Sequence, residues 1–200
     1  MDLPDAETGK IGPNSVIQLV AALKDAKLEA PASTIFQAAG AADWLTTPPD
    51  AMVDEGRVAR LHQALRQGLE WPLALAILRE AGLRTADYLL AVRIPKPAQC
   101  LLSLMPADWA ARFLSRAIKA NAWTFAGSGQ FAVRRGKPTI FEMTGNPLCR
   151  GEQASKPVCV WHAAVFERLF EVLVSPGVRV RETACEALGD ACCRFEVRHG

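Results

Sequence analysis

The run from Val158 to Val174 limits the fold more than any other part of this chain. Val160, Ala163, Ala164, Val165, Phe166, Leu169, Phe170 and Leu173 are apolar, and only His162, Glu167, Arg168 and Glu171 interrupt them with polar groups. A helix that is apolar nearly all round must be covered on most sides, so it belongs in the middle of a domain. The rest of the chain has to supply the cover.

The segments before it are largely helical. Residues 1–14 are rich in Pro, Gly and Asp and read as a flexible lead-in to one domain over 15–200. Ser15 can cap a helix carrying Val16, Leu19, Val20 and Leu23 at helical spacing. Ala32–Leu45 reads as a second helix, and Asp50 or a neighbour opens a third with Val53, Val58, Leu61 and Leu65. Trp71–Ala81 is expected to end at Gly82, with Thr85–Val92 beyond it. After Pro106 comes a helix with Trp109, Phe113 and Ala117 on one face, and Asp108 pairing with Arg112. Short β-prone segments follow at Trp123–Phe125, Gln130–Val133 and Thr139–Met143. After the core helix, Val178–Ala184 and Cys192–Arg198 alternate as a closing hairpin. N-terminal helices, a small antiparallel sheet, a buried helix and a C-terminal hairpin make the fold class α+β.

The totals exclude several classes of function. The net charge is +2, with both signs interleaved, so no basic block marks nucleic-acid binding. No stretch approaches the roughly 20 apolar residues that span a bilayer. Met1-Asp2-Leu3-Pro4-Asp5 lacks a basic start and a signal core, so a cytoplasmic location is expected. In that compartment six cysteines suggest metal binding or burial rather than disulfides. The hairpin could gather Glu182, Cys185 and Cys193 around one point, with Cys159 docking from the start of the core helix. Three thiolates and a carboxylate suit a closed structural zinc site, and buried free cysteines are the alternative. Cys192 should face away from Cys193. Cys100 and Cys149 have no evident partner and read as packing residues.

The segment Pro157-Val158-Cys159, the apolar helix, and Glu182 to Val197 with its E-x-x-C-x-x-x-G-x-x-x-C-x-F pattern resemble the signature of the 4-vinyl reductase domain family. In related phenol-sensing domains the matching Cys, Glu, Cys and Cys bind zinc structurally, which implicates Cys159, Glu182, Cys185 and Cys193 here. Ala81–Leu89, Arg93-Ile94-Pro95 and Ala122–Gly129 are similar to the bacteriochlorophyll-synthesis member of that family, and the likeness runs from about Ser15 onward. It implies an α+β ligand-holding fold shared with vesicle-tethering particle subunits. It also implies a magnesium-porphyrin or chlorophyllide-type ligand, pigment-synthesis enzymes as partners, and a homodimer through N-terminal helices carrying Leu19, Leu23 and Ile35.

The family name suggests reduction of a vinyl group, yet the chain shows no nicotinamide or flavin motif. Gly127-Ser128-Gly129 is not G-x-G-x-x-G and reads as a hairpin turn between strands. A tetrapyrrole carrier or accessory role is the preferred expectation. A vinyl reductase is the alternative, and a zinc-stapled sensor or interaction module the third reading. Candidate pocket walls are Trp109, Phe113, Trp123, Phe125 and Trp161. Arg112 or Arg116 would meet ring propionates, and His62 or His162 would meet a central magnesium.

Overall fold

The computed structural model describes residues 9–198. Residues 1–8 of the expected lead-in lie outside that range. The remainder of it is structured, because β1 (Lys10–Ile11) pairs antiparallel with β2 (Val53–Asp54) and buries Ile11. Between these strands run α1 (Asn14–Asp25), α2 (Glu29–Ala38) and α3 (Asp43–Thr46). The single helix expected over 32–45 is broken at Gly40, whose φ of +65° suits a residue without a Cβ. In α1, Ser15 lies inside the helix and donates its hydroxyl to the Gly12 carbonyl at 2.8 Å. α4 (Glu55–Gly68) is capped by Asp54, whose carboxylate accepts from the Arg57 N–H at 2.6 Å.

α5 (Trp71–Tyr88) continues through Gly82 and runs into a π turn at Leu89–Arg93. Gly82 is therefore not a helix stop. A Cβ there would come 2.5 Å from the Trp161 carbonyl oxygen. The glycine is required because α5 crosses the buried helix at close range. Gly82→Ala is expected to destabilise the protein by about 2–3 kcal/mol through overpacking, read as a lower urea midpoint with an unchanged slope. An unchanged midpoint would mean that the two helices can separate freely.

α6 (Lys96–Leu104), α7 (Ala107–Ala120) and the short α8 (Trp123–Ala126) follow. The strand expected at Trp123–Phe125 is thus a helical turn. β3 (Gln130–Arg134) and β4 (Thr139–Thr144) lead to a 3₁₀ turn at Pro147–Cys149. Then come α9 (Val160–Leu173), β5 (Arg179–Ala184), a second 3₁₀ turn at Glu186–Leu188, and β6 (Cys193–Arg198). The expected fold class, α+β, holds.

The sheet order is β3-β4-β6-β5, antiparallel throughout. Alternation gives it one dry face. Phe141 and Met143 on β4, and Cys193, Phe195 and Val197 on β6, are buried there. Phe166 and Phe170 of α9 meet them, with Phe141–Phe166 centroids at 5.0 Å and Phe166–Phe195 centroids at 5.5 Å. α5 covers the opposite side of α9, and α1 lies across α5. The apolar α9 is enclosed as its sequence requires.

Candidate metal centre and buried histidine pair

Four cysteines from four parts of the chain converge at one end of the sheet. Cys159 precedes α9, Cys185 ends β5, Cys193 begins β6, and Cys149 closes the 3₁₀ turn after β4. All four are buried, and their sulfurs lie within 4.8 Å of one another. Cys149–Cys193 and Cys159–Cys193 are both 3.5 Å, and Cys159–Cys185 is 3.9 Å. Tetrahedral zinc with Zn–S bonds near 2.3 Å would set its sulfurs about 3.8 Å apart. The donor chemistry and the spacing both fit such an ion.

Cys149, expected to be a packing residue, completes the set. The turn that delivers it is built by distant side chains. The Glu186 carboxylate accepts from the Gly145 and Asn146 N–H groups at 2.6 and 2.8 Å. Asn146 accepts from the Leu148 N–H, and the Leu148 carbonyl accepts from Arg66 of α4 at 2.9 Å. Arg66 is also ion-paired with Glu152.

Glu182 occupies a supporting place. Its Oε2 accepts from the Cys159 N–H at 2.8 Å, while Oε1 is buried without a partner. Burial, then the neighbouring Cys185 charge, pushes its carboxyl up to about 9. Asp190 plays a similar part, accepting from the Cys185 N–H at 2.8 Å. The sulfurs have donors of their own: Asn146 Nδ2 lies 3.1 Å from Cys159 Sγ, and the Glu186 N–H lies 3.5 Å from Cys193 Sγ. Such N–H···S contacts favour thiolates and orient them. Hydrogen bonding from Cys149 and its neighbours draws the Cys185 thiol down, while the corresponding contacts and burial hold Cys159 far above its ordinary value. One thiolate shared among four sulfurs is the arrangement expected where a cation supplies the missing charge. Cys192 is only partly buried and stands outside the group, and Cys100 is exposed on α6.

The ligand-pocket residues divide into two sets. Inside, His62 of α4 and Trp161 and His162 of α9 stand side by side, with His62–Trp161 centroids at 6.4 Å and Trp161–His162 at 5.0 Å. Phe125, Phe166 and Phe195 close around His162 at 6.1, 6.2 and 6.1 Å. His62 is 0% exposed and His162 is 1% exposed. Burial lowers both to about 3, and the Arg66 charge adds to the effect at His62, so both are neutral imidazoles at pH 7. His62 Nε2 lies 3.1 Å from the Ser15 carbonyl. Neither ring nitrogen of His162 makes a hydrogen bond of ordinary geometry, although the Phe125 backbone lies near enough to favour its charge slightly. Trp161 Nε1 also lacks a partner. Outside, Trp109, Phe113 and Trp123 are exposed, with Arg112 and Arg116 on the same outer surface. The buried side of α7 is its small-residue face, Ala110, Ala111, Leu114, Ser115 and Ile118.

Gly127-Ser128-Gly129 joins α8 to β3 rather than two strands. Its donors are engaged internally, with the Ser128 N–H and hydroxyl donating to the buried Glu55 carboxylate at 2.8 and 2.5 Å. Arg150 completes that ion pair. No described helix is long and apolar enough to cross a membrane.

Four sulfurs beneath a core helix, on a four-stranded antiparallel sheet, are the setting of a 4-vinyl reductase domain, and residues 139–199 match the model of that domain. The likeness extends over nearly the whole chain. The bacteriochlorophyll synthase 23 kDa chain of Cereibacter sphaeroides is 48% identical over 188 residues, covering 94% of this chain and 90% of the relative. The chain of the same name from Rhodobacter capsulatus is 39% identical over 193 residues, covering 96% and 88%. This chain belongs to the family of the bacteriochlorophyll synthase 23 kDa chain, a membership that fits a role in bacteriochlorophyll biosynthesis. In fold it is similar to a structure solved in work on heme distortion in the H-NOX family, with a TM-score of 0.57 at 12% identity, covering 94% of each chain.

Proposed function

We propose that the protein is a tetrapyrrole-binding accessory factor that holds a magnesium porphyrin or chlorophyllide-type intermediate for the enzymes of bacteriochlorophyll synthesis. One observation carries this reading: His162 is fully buried among aromatic rings, yet neither of its nitrogens is properly hydrogen-bonded. A buried polar atom left unpaired costs about 1–3 kcal/mol and calls for an explanation. A neutral imidazole with a free lone pair can ligate the magnesium of a flat apolar pigment. Phe125, Phe166 and Trp161 would bury the pigment's faces. His62 is the weaker candidate because the Ser15 carbonyl already engages it. Entry would take the displacement of α8, a segment of four residues that carries Phe125.

The sulfur cluster complements this reading as a staple. Zinc, held by Cys149, Cys159, Cys185 and Cys193, would fix the start of α9 against β5 and β6 and leave no open position for chemistry. A purely structural module would need the staple but not the buried imidazole.

Titration with a magnesium porphyrin tests the proposal. Wild-type protein is expected to give a saturable absorption shift and quenching of Trp fluorescence, since Trp161 adjoins His162. His162→Leu should weaken binding about tenfold, the size of one lost contact, and alter the bound spectrum. No saturable binding by the wild type overturns the proposal, and unchanged binding by His162→Leu overturns the role of His162. Reduction of a vinyl group on adding NADPH would restore the reductase reading.

A further inference from the structure

The outer face of α6 and α7 carries a pattern used by neither the sulfur cluster nor the histidine pair. α6 buries none of its 9 residues. It exposes Leu101 by 57% and Leu104 by 79%. Across Met105 and Pro106, α7 exposes Trp109 by 57% and Phe113 by 45%, and their i,i+4 spacing puts both on one side of the helix. Large apolar side chains concentrated in this way mark an interaction surface. The charges around them are predominantly basic: Arg93, Lys96, Arg112, Arg116 and Lys119.

A small pocket opens beside this stripe, between α7 and the β3–β4 turn. It encloses about 160 Å³, and Arg112, Arg135 and Lys137 line it against a single acidic residue, Asp108. Asp108 is paired with Lys137 at 3.0 Å. Ser115, also in the lining, is 4% exposed, and its hydroxyl has no hydrogen-bond partner. An oxyanion in the pocket would satisfy that hydroxyl and meet two guanidinium groups. Arg112 joins the two features, because it lines the pocket and holds its guanidinium 5.9 Å from the Trp109 ring centroid.

We propose that this face docks on an anionic phospholipid bilayer, with Leu104, Trp109 and Phe113 entering the interface and one lipid phosphate seated in the pocket. Aromatic and leucine side chains bordered by Arg and Lys are the surface chemistry that suits an anionic lipid interface. A second copy of the chain is a poorer occupant, since a two-fold contact through this face would set one basic rim against another.

Co-sedimentation of the full chain with phosphatidylcholine vesicles, and with vesicles containing one-quarter phosphatidylglycerol, tests the proposal. Binding is expected to the second kind alone and to fall with salt. Trp109→Ala/Phe113→Ala should weaken it at least tenfold. Arg135→Gln/Lys137→Gln should weaken it about 25-fold, at roughly fivefold per basic residue near an anionic surface. These side chains are exposed, and unchanged melting temperatures would confirm that each variant folds. Absence of wild-type vesicle binding overturns the proposal, as does equal binding to both kinds. Binding of inorganic phosphate without vesicle binding overturns it too and leaves a free-oxyanion site. A lipid-free dimer abolished by Trp109→Ala/Phe113→Ala would assign the face to a second copy instead. Porphyrin binding should be unaffected by either double variant, so this proposal and the pigment reading fail separately.

Discussion

Cys149→Ser should lose zinc and much of its thermal stability together, while Glu182→Gln keeps both. The four sulfurs lie within 4.8 Å of one another with no carboxylate oxygen in the group. Serine cannot replace a thiolate toward zinc at neutral pH, so the variant leaves a three-coordinate site in a buried pocket. Binding of structural zinc is coupled to folding and reaches about 10 kcal/mol or more in small metal-dependent domains. Even a partial loss of about 4 kcal/mol would lower the melting temperature by roughly 10 °C in a domain of this size. Glutamine at position 182 would retain an oxygen to accept from the Cys159 N–H, the contact that Glu182 makes at 2.8 Å. Metal content by elemental analysis and melting by calorimetry read both effects. A Cys149→Ser protein with full zinc and wild-type melting would falsify the four-sulfur site. Zinc loss from Glu182→Gln would return the carboxylate to the ligand set.

Acid should destabilise the protein well before its carboxylates titrate. His62 and His162 are lowered from 6.5 to about 3, chiefly by burial. The unfolded chain binds protons at these positions below about pH 6.5, and the folded chain binds them only near pH 3. Stability therefore rises with pH across that window: it is fully present above 6.5 and is lost as pH falls. At pH 5 each histidine removes about 2 kcal/mol, so the pair removes ~4 kcal/mol. Urea denaturation at pH 7.5 and pH 5.0 measures the loss. His162→Phe should recover about half of it, which separates the histidine contribution from any release of metal by acid. Equal stability at the two pH values would show that both rings already carry protons in the fold.

The parts of this architecture legible from sequence are those set by local patterns. The all-round apolar helix, the alternating hairpin, and the convergence of Cys159, Cys185 and Cys193 follow from periodicities of 3.6 and 2 over short distances. Cys149 escaped because its position depends on Glu186, some forty residues away, bonding the turn that carries it. Gly82 reads as a helix stop in isolation, and only the approach of α9 shows why a side chain is excluded. Trp123-Thr124-Phe125 has high β propensity, but Gly127 at φ +56° ends a helical turn there instead. In α7 the spacing reveals two faces without saying which is inside, and the small residues won because they sit against the core.

The order β3-β4-β6-β5 also bears on how the protein is made. β6 follows β5 in sequence but lies between β4 and β5 in the sheet, and it supplies Cys193. During translation α9 emerges while the strand that must cover Phe166 is still being assembled. Until β6 leaves the ribosome, the most apolar helix of the chain has an incomplete sheet to pack against and the sulfur cluster lacks one donor. The nascent protein thus depends on this late strand both to hide that helix and to capture its ion, so completion of the sheet and loading of the metal fall within the same short interval after β6 emerges.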